Sequence, residues 1–180
     1  MAERLPGNFR FVDRQKTLAV AGERVFENEA TVNKLRAENF HVLGLTLKAE
    51  RGAADAKVPC TFKGKEVNSI WESGQERGFY EMIDEITRHH DAGKKVLVTC
   101  GAGISTSPTV AAAYLVLKRG YQLEEAVEAV TKQKYAREIV RNYLRKFAAN
   151  EPERWMVQHA PAGSGLLSRL RNINWRFWRK

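Results

Sequence analysis

The residues between Lys95 and Ser107 are the stretch of this chain best suited to chemistry. Lys95-Val96-Leu97-Val98-Thr99-Cys100 reads as a buried strand that ends on a cysteine. Gly101-Ala102-Gly103-Ile104-Ser105-Thr106 follows. Ser107 then reads as an N-cap and Pro108 as the first residue of a helix running through Val110, Ala113, Tyr114 and Leu117 to Gly120. A strand feeding a glycine-containing loop and a capped helix makes an anion-binding nest. Its N–H groups converge where the helix dipole favours negative charge, and the glycines let the backbone come close. Cys100 at its mouth has two readings, a nucleophile or a small buried strand-end residue.

A scaffold must hold that loop, and the hydrophobic pattern outlines one. Thr17 to Ala21 reads as a first strand stopped at Gly22, and Asn28 to Phe40 as a helix carrying Val32 and Leu35. His41 to Leu47 reads as a buried strand, Lys48 to Lys57 as a solvent loop, and Val58 to Phe62 as another short strand. Phe79, Met82, Ile83 and Ile86 have helical spacing before a stop at Asp91-Ala92-Gly93. Leu123, Ala126, Val127 and Val130 form one further stripe, and Ile139, Val140, Tyr143, Leu144 and Phe147 another. Strands alternating with helices predict an α/β fold, a central mostly parallel sheet flanked by helices. The composition shifts after Asn150, which suggests one domain over 1–150 and a tail over 151–180.

The overall arithmetic narrows the classes. With 43% hydrophobic residues over 180 positions there is material for a real core, which excludes a wholly disordered chain. Cys60 and Cys100 are too few for a disulfide framework or a four-cysteine zinc site, and unpaired cysteines fit a reducing intracellular compartment, cytoplasmic or mitochondrial. His41, His89, His90 and His159 show no metal-ligand spacing, so no metal and no cofactor is expected. The N-terminus carries no apolar run. The uncharged stretch from Val96 to Leu117 is broken by glycines and Pro108, so no transmembrane segment is expected.

Three families share the local physics of the loop. Gly101-x-Gly103 opens like a Rossmann turn, but Thr106 stands where its third glycine belongs. The run Gly101 to Thr106 resembles the nucleotide loop of the sirtuins, but the rest of that motif and the cysteines for its zinc are absent. Val96 through Leu115 resembles the signature of the dual-specificity protein phosphatases, H-C-x-x-G-x-x-R-S followed by an apolar helix. Gly120-Tyr121-Gln122-Leu123-Glu124-Glu125-Ala126 also resembles that family's next interhelical segment. The likeness covers roughly residues 17 to 148 and implies the cysteine-dependent phosphatase fold. It also implies a cysteine that attacks phosphorus, an arginine six positions later that grips the phosphoryl oxygens, and an upstream aspartate that protonates the leaving oxygen.

This sequence departs from that implied machinery at the arginine, the histidine and the acid. Cys100 keeps the nucleophile's place, but Thr106 stands where the arginine belongs. A neutral hydroxyl cannot give the bidentate, charge-assisted contact that a dianion needs. Thr99 replaces the histidine that helps steady the thiolate. Pro59 to Asn68, where the acid should lie, holds no aspartate, and Glu66 is its only acid. Ser107 matches the family's serine. The resemblance thus implies a pseudophosphatase with a degenerate phosphate loop at Cys100, Gly101, Ala102, Gly103, Ile104, Ser105, Thr106 and Ser107. The alternative is an active cysteine-dependent protein or RNA phosphatase that recruits another cation.

The tail suggests what such a domain would bind. The chain carries 30 Lys+Arg against 21 Asp+Glu, a net +9, yet from Arg154 onward there are six basic residues and no acidic ones. Arg169, Arg171, Arg176, Arg179 and Lys180 lie among Trp175, Phe177 and Trp178. Arginines interleaved with aromatics suit RNA, by phosphate contact and base stacking, and also suit an anionic membrane surface. The expected partner is a protein or ribonucleoprotein assembly.

Overall fold

The computed structural model describes residues 6–64 and 76–156. Among the described residues five strands form one sheet in the order β1-β2-β5-β3-β4. They are β1 (Arg10–Phe11), β2 (Leu18–Gly22), β3 (Phe40–Gly44), β4 (Cys60–Phe62) and β5 (Lys95–Cys100). Edge strand β1 is antiparallel to β2, and every other pairing is parallel. The α-helices among the described residues are α1 (Glu29–Ala37), α2 (Leu47–Asp55), α3 (Glu76–Asp91), α4 (Thr106–Arg119), α5 (Leu123–Val130), α6 (Lys134–Asn150) and α7 (Pro152–Met156).

Strand alternation divides the core in two. Leu18, Val20, Leu43, Val96 and Val98 face one side, where α3, α4, α5 and α6 cover them. Ala19, Ala21, Phe40, Val42 and Leu97 face the other, against α1 and α2. Because β2, β3 and β5 are buried on both faces, their sequences read as apolar runs rather than as alternation. Helix α4 is buried almost throughout, from Ser107 to Leu117. It ends at Gly120, whose left-handed φ of 71° lets its N–H close back on the Leu115 carbonyl.

Three expectations need correcting. Residues 47–55 are helical rather than a solvent loop. Thr46 caps this helix, its hydroxyl accepting from Ala49 N at 3.1 Å, and Ala49 and Ala53, one turn apart, are fully buried. The helix after the loop starts at Thr106, with Ser105 in the cap position, so Ser107 lies inside it. The core also extends past Asn150: Trp155 on α7 is buried, its Nε1–H donating to Tyr80 Oη at 3.0 Å, with Arg154 over the same ring. Trp155→Phe keeps the packing and removes that bond, so a loss of about 1 kcal/mol is expected in urea unfolding. An unchanged midpoint would mean that the bond from Trp155 to Tyr80 adds nothing to the domain's stability.

Candidate functional site

Strand β5 delivers Cys100 to the carboxyl edge of the sheet, and residues 101–105 turn the chain into α4. Carbonyls on the outer side of this turn are held by the N-terminal segment. Glu23 N–H donates to Gly101 O at 3.1 Å, and Asn8 Nδ2 donates to Ala102 O at 3.0 Å. Arg10 reaches Gly103 O at 3.5 Å through both terminal nitrogens. The N–H groups of residues 102–107 that can donate take no partner among the described residues. The loop is therefore pinned by its acceptors and keeps its donors free, the polarity of an anion nest.

Two glycines make that path possible. Gly103 has φ +69°, and a Cβ there would stand 2.4 Å from Gly22 N and 2.5 Å from Ala21 C. A Cβ at Gly22 would stand 2.8 Å from Ala102 C. The loop thus rests directly on the backbone at the end of β2, with no room for a side chain between them.

Cys100 is buried, with its Sγ 3.2 Å from Ser107 Oγ, which in turn donates to Ala21 O at 3.4 Å. Either the sulfur or the hydroxyl can donate in the contact between them. The serine read as a helix cap is thus fully buried as a partner of the sulfur. Thr99 is fully buried, and its hydroxyl is without a partner among the described residues. Thr106 opens α4, partly exposed, with its side-chain hydroxyl unbonded among the described residues. Glu66 and the rest of 65–75 lie outside the described residues, as does the whole of 166–180.

Sequence reasoning missed Arg10 and Asn8, which lie more than ninety positions from the loop they hold. Arg10 also donates to Asn8 O at 3.0 Å, and to Val130 O through Nε at 3.2 Å and Nη2. Burial lowers its guanidinium from the ordinary range, and the nearby Cys100 acts in the opposite direction. Arg10 thus places a positive charge against the loop's outer carbonyls. Arg10→Met keeps the apolar stem and strips partners from Gly103 O and Val130 O. A loss of about 1–3 kcal/mol is expected in urea unfolding. Retention of full stability would mean that Arg10 does not clamp the loop.

The sequence profile of the dual specificity phosphatase catalytic domain matches residues 28–151. The chain belongs to the dual-specificity phosphatase family. It is 31% identical over 96 residues to rat dual specificity protein phosphatase 5, covering 53% of this chain and 25% of that protein. Against human dual specificity protein phosphatase 4 it is 45% identical over 56 residues, 31% of this chain and 14% of that one. It therefore spans a quarter or less of the length of these relatives. Among solved structures, human DUSP28 superposes with a TM-score of 0.54 at 18% identity, covering 81% of this chain and 99% of that one. Kinase associated phosphatase, solved with serine for its catalytic cysteine, gives 0.55 at 12% identity, covering 83% and 97%. At such identities these superpositions establish the fold. No described helix is long and apolar enough to cross a membrane.

Proposed function

We propose that this domain is a catalytically inactive dual-specificity phosphatase fold retained as a binding or scaffold subunit. One observation carries the reading: Thr106 heads α4 at the position where the family's phosphate-gripping arginine belongs. Removing a group that stabilises transition-state charge costs about 10²–10³ in rate. The buried Thr99, whose neutral hydroxyl stands in place of the family's histidine, points the same way. A second reading, an active cysteine-dependent protein or RNA phosphatase, draws support from the free loop N–H groups and the charge of Arg10 behind them.

The basic aromatic tail, Arg169, Arg171, Trp175, Arg176, Phe177, Trp178, Arg179 and Lys180, is the proposed docking element. Its partner is a protein or ribonucleoprotein assembly, with RNA phosphates and bases as the contacts that its composition suits. An anionic membrane surface suits it less, and the compartment we propose is intracellular, cytoplasmic or mitochondrial. The test is purification of the native protein at low salt, compared with a chain ending at 165. The full chain should sediment with a large, salt-sensitive assembly, and the truncated chain should remain folded and elute alone. Each tail arginine removed should lower the slope of log affinity against log salt by about one. A truncated chain that keeps its partner at unchanged affinity would refute the docking role.

A further inference from the structure

A second polar cluster lies at the opposite end of the sheet from the loop. His41 on β3 pairs with Val96, four residues before Cys100 on β5, roughly 13 Å along the strand rise. Glu85 and His89 stand one turn apart on α3, facing His41 and Thr61 of β4. His41, Glu85 and His89 are 7%, 8% and 9% exposed, and their potential ligating atoms lie within 4.8 Å of one another.

The bonding inside the cluster is uneven. Thr61 Oγ1 donates to Glu85 Oε1 at 2.8 Å, His89 Nε2 meets that oxygen at 2.9 Å, and Arg88 Nη2 donates to it as well. Glu85 Oε2 takes no hydrogen bond among the described residues. His41 spends Nε2 on Thr61 Oγ1 at 2.9 Å and leaves Nδ1 buried without a partner among the described residues. The two imidazoles stack 3.4 Å apart. Because the Thr61 hydroxyl hydrogen goes to Glu85, His41 Nε2–H donates to Thr61, and Nδ1 is the nitrogen that keeps a lone pair. Packing alone would be served better by an apolar residue there, because a buried unpaired nitrogen costs free energy.

We propose that His41, Glu85 and His89 form a binding site for one divalent ion of the zinc class. Two imidazoles and a carboxylate are a ligand set that zinc takes readily, with a fourth tetrahedral position left for water. Ligand bonds of about 2.0–2.2 Å place ligating atoms roughly 3.3 Å apart, so taking up the ion requires the two imidazoles to turn out of their face-to-face stack. The ion needs the His89 Nε2 lone pair, so the proton on that nitrogen moves to Nδ1 of the same ring. Thr61 keeps its bond to the carboxylate and orients it. Arg88, whose side chain is largely exposed, is free to swing off the shared oxygen. The site is separate from the loop and does not depend on whether the loop catalyses anything.

The test is titration of the chelator-treated full chain with zinc chloride by calorimetry, with cobalt(II) as a spectroscopic probe. One equivalent should bind, and cobalt should give visible bands of a tetrahedral nitrogen–oxygen set. Glu85→Gln and His89→Gln, checked for folding by circular dichroism, should each weaken zinc by at least about tenfold, and Thr61→Val by about 10–100-fold. Cys100→Ser should bind as the parent does. Should a variant unfold, the parent's cobalt spectrum still decides, because a thiolate charge-transfer band would place the ion on a cysteine and overturn the proposal. Absence of saturable binding, or binding indifferent to both Glu85→Gln and His89→Gln, would overturn it equally.

Discussion

Thr106→Arg will tighten binding of an oxyanion such as tungstate by about 10²-fold while leaving the domain without phosphatase turnover. The loop still presents its N–H groups, since Glu23, Asn8 and Arg10 occupy its carbonyls. What it lacks among the described residues is a side-chain cation bonded into its inner side. A guanidinium at the head of α4 supplies two charge-assisted hydrogen bonds, worth on the order of 3 kcal/mol together, which corresponds to that factor. Turnover stays absent because an oxyanion grip does not replace a general acid. Calorimetric titration of both proteins with sodium tungstate measures the effect. Equal affinities would mean that position 106 does not face the anion cradle.

Gly103→Ala will cost about 2–5 kcal/mol of stability, and Gly101→Ala almost nothing. At Gly103 the left-handed backbone is unfavourable for alanine by about 1–2 kcal/mol. The new methyl would also fall on backbone atoms of Ala21 and Gly22. Those atoms belong to β2, which is paired on both edges, so relief requires moving a central strand, and overpacking of this kind costs about 1–3 kcal/mol. At Gly101 a Cβ meets nothing within 4 Å. Urea unfolding of the two variants compares neighbouring residues of one loop. Equal midpoints would show that the loop does not press on β2.

What the sequence disclosed, and what it hid, follows from how far each signal reaches. Strand β5, the apolar body of α4 and the stop at Gly120 were legible because composition, period and capping act within a few residues. Helix α2 was not, because it buries only Ala49 and Ala53, too small to register as an apolar stripe among Lys48, Glu50 and Arg51. Ser107-Pro108 carried the usual signature of a helix start, but burial beside Cys100 overrode it and moved the start to Thr106. Strand β1, two residues long, has no period to read. The clamp of Asn8 and Arg10 on the loop, and the meeting of His41 with Glu85 and His89, join residues distant in sequence. Such contacts exist only once the sheet order is fixed, and no local spacing announces them. Cys100, Thr99 and Thr106 were legible as departures from a family pattern, while the bonds that now engage or strand their side chains were not.

The most direct test of the central claim is hydrolysis of an aryl phosphate by the full chain beside its Cys100→Ser variant, each at high enzyme concentration. With Thr106 at the head of α4 and Cys100 set toward Ser107, the two proteins should release phenol at the same background rate. No phosphate should be found on Cys100 by intact mass after acid quench. A parent rate well above that of Cys100→Ser, or a phosphorylated Cys100, would contradict the account and identify the domain as a working phosphatase.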